Sequence, residues 1–93
     1  MPIKIKSLQE IQITSNYRKS YSLLPLKIQK ITDKKVFLFQ NNPYHPSLKT
    51  HQLHGKLALF KSFTINQKYR IIFQFIDNWK VIFFDIGSHK IYQ

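Results

Sequence analysis

The chain has no cysteine, only two glycines and only four acidic residues among its 93 positions. Without cysteine, neither a disulfide framework nor a thiolate metal cluster can form. With glycine confined to Gly55 and Gly87, there is no glycine-rich loop to cradle a nucleotide phosphate. Four carboxylates, none paired in sequence, argue against carboxylate-pair catalysis and against a magnesium site. No apolar run approaches the roughly 18 residues of a membrane span. The opening MPIKIKSLQE lacks the apolar core of a secretory signal. These absences predict a soluble, cytoplasmic protein with no membrane partner, no metal and no small-molecule cofactor. A chain this short builds one core, so residues 1–93 are read as a single domain.

What is abundant is positive charge: fifteen Lys and Arg against four Asp and Glu, net +11. Such an excess repels itself in a compact chain and favours an anionic partner, nucleic acid or an acidic protein. The basic residues are spread along the sequence with no amphipathic helix to concentrate them, which argues against a membrane surface. The bland alternative is solubility in a lysine-rich composition. At 43% hydrophobic and 15% aromatic residues, material for a core is present.

The last quarter carries the clearest pattern. Tyr69 to Ile76 and Trp79 to Ile86 are short runs rich in Ile, Val, Phe and Tyr, separated by Asp77-Asn78, and they predict a β-hairpin. Alternation puts Ile71, Phe73 and Phe75 on one face and Arg70, Gln74, Ile72 and Ile76 on the other. In the second strand it predicts Ile82, Phe84 and Ile86 inward, with Val81, Phe83 and Asp85 opposite. Upstream, residues 3–14 read as a strand region. Thr14-Ser15-Asn16 are helix-capping types, and Tyr17, Tyr21 and Leu24 recur at helical spacing, predicting a short helix over 16–24. Pro25 ends it and opens a second helix from about Leu26 to Gln40. Its expected buried stripe is Ile28, Ile31, Val36, Leu38 and Phe39, with Lys27, Lys30, Lys34 and Lys35 on the other side. Residues 41–46 read as loop and 48–55 as a polar segment holding a short strand or turn. Leu57 to Ile65 reads as a strand, with Leu59, Phe63 and Ile65 on one side and Phe60, Ser62 and Thr64 on the other. The fold class that follows is α+β: an antiparallel sheet of about four strands, mixed at the N-terminal strand. Two N-terminal helices pack on one face.

The face away from the helices collects Arg70, Gln74, Asp85, Ser62 and Thr64, flanked by Lys49, His51, His54, Lys56 and His89. Histidine, arginine and lysine without a metal are suited to cutting RNA, whose 2′-hydroxyl is a built-in nucleophile beside the scissile phosphate. That reaction needs a base for the hydroxyl proton, an acid for the leaving 5′ oxygen and cations for the charge gathering on phosphorus. Imidazole serves both proton roles near neutral pH, and a guanidinium offers a permanently charged fork to phosphate oxygens. His51-x-x-His54 could ligate zinc only with a third ligand that the neighbourhood lacks. Arg70 could equally pair with Asp85.

From Asn42 to Tyr92 the sequence resembles the RelE/ParE superfamily of type II toxins, closest to the branch of RelE- and YafQ-like mRNA interferases. The matching pieces are HPSLKTHQLHG, the S-F-x-I strand from Ser62, Y-R-I-I-F from Tyr69, and D-I-G-x-H ending at His89 with Tyr92 behind it. The front end closing in LLPLKIQ fits as well. The resemblance implies a RelE-like fold, a ribosome-dependent endoribonuclease acting on mRNA, and an acidic antitoxin as partner. It implies Arg70 as transition-state stabiliser, His89 as general acid, Tyr92 as an orienting aromatic and His51 as a base or phosphate contact. Lys49, Lys56, His54 and Lys61 become RNA contacts. The YafQ-like branch carries an aspartate and a histidine where this chain has Ser62 and Thr64, which leaves the general base open. A ParE-like gyrase inhibitor without catalysis, and a degenerate toxin that only binds its antitoxin, are the alternatives.

Overall fold

The computed structural model describes residues 8–88 and 91. Strand β1 (Glu10–Ile13) leads into helix α1 (Ser15–Ser22), then helix α2 (Leu26–Asn41), and strands β2 (His51–Gln52), β3 (Lys61–Thr64), β4 (Arg70–Phe75) and β5 (Lys80–Gly87) follow. The five strands form one sheet in the order β1-β5-β4-β3-β2. Its antiparallel part runs from β2 to β5, and β1 adds on parallel to β5. The expected mixed α+β sheet is therefore present, with the two-residue β2 as an extra edge strand. Of the predicted N-terminal strand region, residues 3–7 lie outside the described residues.

Local chemistry explains the boundaries. Thr14 caps α1: its Oγ1 accepts from the Tyr17 amide at 3.0 Å and donates to the Phe84 carbonyl at 2.9 Å, which ties the helix start to β5. Pro25 caps α2, its carbonyl accepting from the Ile28 and Gln29 amides at 2.9 and 3.0 Å. Between β3 and β4, Asn66 Oδ1 accepts from the Lys68 and Tyr69 amides at 2.9 and 2.8 Å. This side-chain turn fixes the point at which Arg70 enters the sheet.

Both helices pack on the face that carries Phe63, Phe73, Val81 and Phe83, all buried. Phe39 of α2 is the keystone: it stacks on Phe63 at 4.4 Å and meets Phe73 and Phe83 edge-on at 4.9 and 5.7 Å. Tyr17 of α1 reaches Phe83 at 5.4 Å. The opposite face is not fully open. The segment before β3 crosses part of it, where Phe60 meets Phe84 edge-on at 4.9 Å and Gln74 Nε2 donates to the Leu59 carbonyl at 3.0 Å.

Three expectations are corrected. In β5 it is Val81, Phe83 and Ile86 that are buried, whereas Ile82 and Phe84 are only half-buried. A β-bulge shifts the register, so that Phe73 pairs with Phe83 while Ile72 pairs with Asp85. The extra residue changes the phase of alternation midway along the strand. The strand predicted from Leu57 starts only at Lys61, because Gly55–Leu57 forms a 3₁₀ turn and Leu59 is exposed. In α2 the fully buried residues are Thr32 and Phe39, and Lys35 is half-buried rather than on the solvent side.

Candidate active site

A polar pocket of about 380 Å³ opens where the end of β3, the start of β4, α2 and the loop after α2 meet. Lys35, Ser47, Lys49, Thr64 and Arg70 line it, together with Ile65, Asn66 and Gln67. Three of these residues are cationic and none is acidic. A concave site with one sign of charge raises the local concentration of the opposite ion.

Each basic group arrives by a separate device. Arg70 is the first residue of β4 and pairs with Thr64 on β3 and with Gly87 on β5. Asp85, the carboxylate available to it from the sequence, accepts instead from Ser20 Oγ of α1 at 2.6 Å and from the Ile86 amide at 2.9 Å. Lys49 follows the 3₁₀ turn Pro46–Leu48 and adopts left-handed backbone, φ 51 and ψ 42. That conformation costs a non-glycine residue roughly 1–2 kcal/mol. The surrounding loop holds it in place: Leu48 is fully buried, the Lys49 amide donates to the Pro46 carbonyl at 3.2 Å, and Thr50 Oγ1 donates to the Pro43 carbonyl.

His51 is exposed, and its Nδ1 lies 2.8 Å from the Lys49 carbonyl. A carbonyl can only accept, so Nδ1 carries the proton in this bond, and in the neutral ring Nε2 is left as a proton acceptor. His51 pairs with Ser62, Ser62 with Ile72, and Thr64 with Arg70. Paired residues and residues two apart share a face, so His51, Ser62, Thr64 and Arg70 belong to the same side of the sheet, with Ser62 covered there. Two strand spacings and one two-residue step place the His51 and Arg70 backbones about 12 Å apart. His51 itself is not among the residues that line the pocket.

The other expected contacts distribute less evenly. His54 and Lys56 are exposed beside the 3₁₀ turn Gly55–Leu57, outside the pocket lining. Lys61 falls in the opposite phase of β3, paired with Gln52 and Phe73, and its Nζ donates to Gln52 Oε1 at 3.0 Å. Ser62 is fully buried, and Thr64 lines the pocket. His89 and Tyr92 lie outside the described residues. Just before them, β5 leaves the sheet at Gly87, directly across from Arg70, and the Ile91 amide donates to the Ser88 carbonyl at 3.0 Å. Among the described residues there is no group of three or more potential metal ligands. Also among them, no helix is long and apolar enough to cross a membrane.

Lys35, expected on the solvent side of α2, lines the pocket instead. Its position seven residues after Ile28 and four before Phe39 puts it on the core-facing side of a 3.6-residue helix, and that spacing was available to show it.

No protein-family profile matches the chain, and no curated protein sequence does. Solved structures do match. A chain of the RelBE2 toxin–antitoxin complex of Mycobacterium tuberculosis is similar with a TM-score of 0.75 at 18% identity, over 89% of this chain and 93% of that one. The YoeB/ParE toxin of Agrobacterium tumefaciens gives 0.74 at 13% identity, over 87% and 99%. A chain of the E. coli DinJ–YafQ toxin–antitoxin complex gives 0.67 at 17% identity, over 90% and 96%. With two helices on one face of a five-stranded mixed sheet, this chain has the fold of the RelE/ParE toxins.

Proposed function

We propose that the protein is the toxin of a type II toxin–antitoxin pair, a cytoplasmic endoribonuclease that cuts mRNA on the ribosome and is silenced by an acidic antitoxin. The observation that carries this reading is the meeting of Arg70 and Lys49 in one pocket with no acid in its lining, on a face shared with His51. Fold likeness alone does not decide function. A cationic pocket on a sheet that also carries an imidazole with an acceptor nitrogen is equipment for phosphodiester chemistry, and it has no evident use in a purely structural adaptor.

In the mechanism, His51 Nε2 takes the proton of the 2′-hydroxyl. The oxygen attacks the adjacent phosphorus, a 2′-O–P bond forms, the P–O5′ bond breaks, and the products are a 2′,3′-cyclic phosphate and a free 5′-hydroxyl. Arg70 and Lys49 hold the non-bridging oxygens as negative charge accumulates there, the kind of preorganised stabilisation that dominates such reactions. His89 delivers the proton to the leaving 5′ oxygen, and Tyr92 orients the reacting nucleotide. Positioned acid and base groups contribute on the order of 10²–10⁴ in rate each.

The test is Arg70→Ala. Expression of the parent should arrest growth and produce mRNA 5′ ends in phase with codons, and Arg70→Ala should abolish both while still binding an acidic antitoxin. Arrest without new 5′ ends, accompanied by blocked DNA supercoiling by gyrase, would replace this reading with the non-catalytic one.

A further inference from the structure

Lys35 sits where a helix of this fold should bury an apolar group. Ile28, Thr32, Lys35 and Phe39 form one line along α2, and its members at 32 and 39 are completely buried. A lysine in that line keeps its stem against the core and must send its ammonium outward. The outlet is the pocket that Lys35 lines together with Arg70 and Lys49. No carboxylate in the lining neutralises it.

Charge and size both exceed what one reacting phosphate requires. A phosphodiester carries one negative charge and approaches two in the transition state, whereas the lining supplies three positive charges. The space of about 380 Å³ corresponds to about a dozen water-sized groups at roughly 30 Å³ each, and a phosphate has only five heavy atoms. We propose that Lys35 makes this a two-phosphate site: Arg70 and Lys49 grip the phosphodiester to be cut, and Lys35, with the Thr64 hydroxyl, grips its neighbour along the strand. The inference rests on the ribonuclease reading and adds a positioning residue to it. Lys35 fixes the register of the strand and does not touch the breaking bond.

The test measures how binding of a 2′-deoxy hexanucleotide, which cannot be cut, depends on salt. Each lost phosphate contact flattens the plot of log K against log salt by about 0.7 for a single strand. Lys35→Met keeps the buried stem and removes the charge, so it should flatten the slope by that amount, and Lys35→Arg should restore it. Mere loss of packing would lower the melting temperature without touching the slope. An unchanged slope in Lys35→Met overturns the inference. If that variant instead loses affinity for an acidic peptide, the pocket belongs to a carboxylate-bearing partner. Arg70→Ala serves as the separate control: with no effect on nucleic-acid binding or on cleavage, it removes the ribonuclease reading itself. Cleavage lost in Arg70→Ala with an unaltered slope in Lys35→Met removes only the second phosphate.

Discussion

Gly87→Ala is the most informative perturbation near the site. Gly87 ends β5 opposite Arg70, and a Cβ built on it would fall well inside van der Waals contact of Ile91 Cγ2. Its φ lies outside the left-handed region, so alanine strains nothing in the backbone. Alanine also restricts the unfolded chain, which recovers roughly 0.4–1 kcal/mol. Against this stands the displacement of Ile91. Forcing that side chain about 30° off its rotamer costs on the order of 0.5–1.5 kcal/mol. The two terms nearly cancel, and the global stability should change by less than about 1 kcal/mol, or roughly 4–8 °C in Tm at most for a domain of this size. Function should not be spared. The residues expected to act as acid and orienting aromatic flank Ile91 in sequence, and a shift on the order of 1 Å at a reacting group costs about 10²-fold. The assay is single-turnover cleavage of mRNA on programmed ribosomes beside a thermal melt. Adding Ile91→Ala to Gly87→Ala removes the clash, so the pair should be strongly coupled and should regain rate. Cleavage at the parental rate in Gly87→Ala would refute the idea that Ile91 packing on Gly87 positions the proposed acid His89 and aromatic Tyr92.

Phe39→Ala should remove about 3–5 kcal/mol from a total that is roughly 5–14 kcal/mol for a chain of this length. Its urea midpoint would therefore fall by about a fifth or more, and a loss under about 1 kcal/mol would contradict its place among the rings of Phe63, Phe73, Phe75 and Phe83. Thr32 is fully buried and its Oγ1 has no hydrogen-bond partner among the described residues. Thr32→Val should raise Tm by about 4–8 °C per kcal/mol of desolvation cost removed, and a lower Tm would mean that the hydroxyl is satisfied. Burial pushes the Tyr17 phenol above its usual range, helped by the nearby Tyr21 and Asp33. The hydrogen bond to Asp33 is the main cause that pushes Tyr21 up to about 12. A raised folded value contributes stability that is whole below pH about 10, where unfolded phenols are protonated, and that fades as pH climbs toward the folded values. The urea midpoint should be level up to that pH and fall beyond it, with a shallower fall in Tyr17→Phe. Equal slopes would contradict the burial argument.

How much was legible depends on whether a pattern had one reading. β4 was readable because polar residues mark one parity: Arg70 and Gln74 leave Ile71, Phe73 and Phe75 as the only apolar set, and these turned out to face the helices. In β5 both parities are apolar through Val81-Ile82-Phe83-Phe84, so alternation holds no information about facing. The register against β4 decides it, and the bulge sits where no glycine or proline announces it. Leu57 and Leu59 misled for a similar reason. Their two-residue spacing matches a strand, yet Gly55 at φ +66 opens a 3₁₀ turn and Leu59 is left three-quarters exposed, at 77%.

The site divides along the same line. Arg70 and His51 could be placed on a shared face once the strand phase was known, because strand alternation is a strong constraint. Residue type hides Lys35: four lysines on one helix suggest one solvated side, although Lys35 stands on the line of Ile28 and Phe39. Thr32 on that line posed the same conflict, and the two resolve differently. A threonine hydroxyl is too short to leave the core and remains an unpaired cost, whereas a lysine stem spans the core edge and delivers charge to a cavity. A polar residue in an apolar phase therefore points to function only when its side chain is long enough to get out and a pocket waits where it emerges. In α2 that condition holds at Lys35 and fails at Thr32.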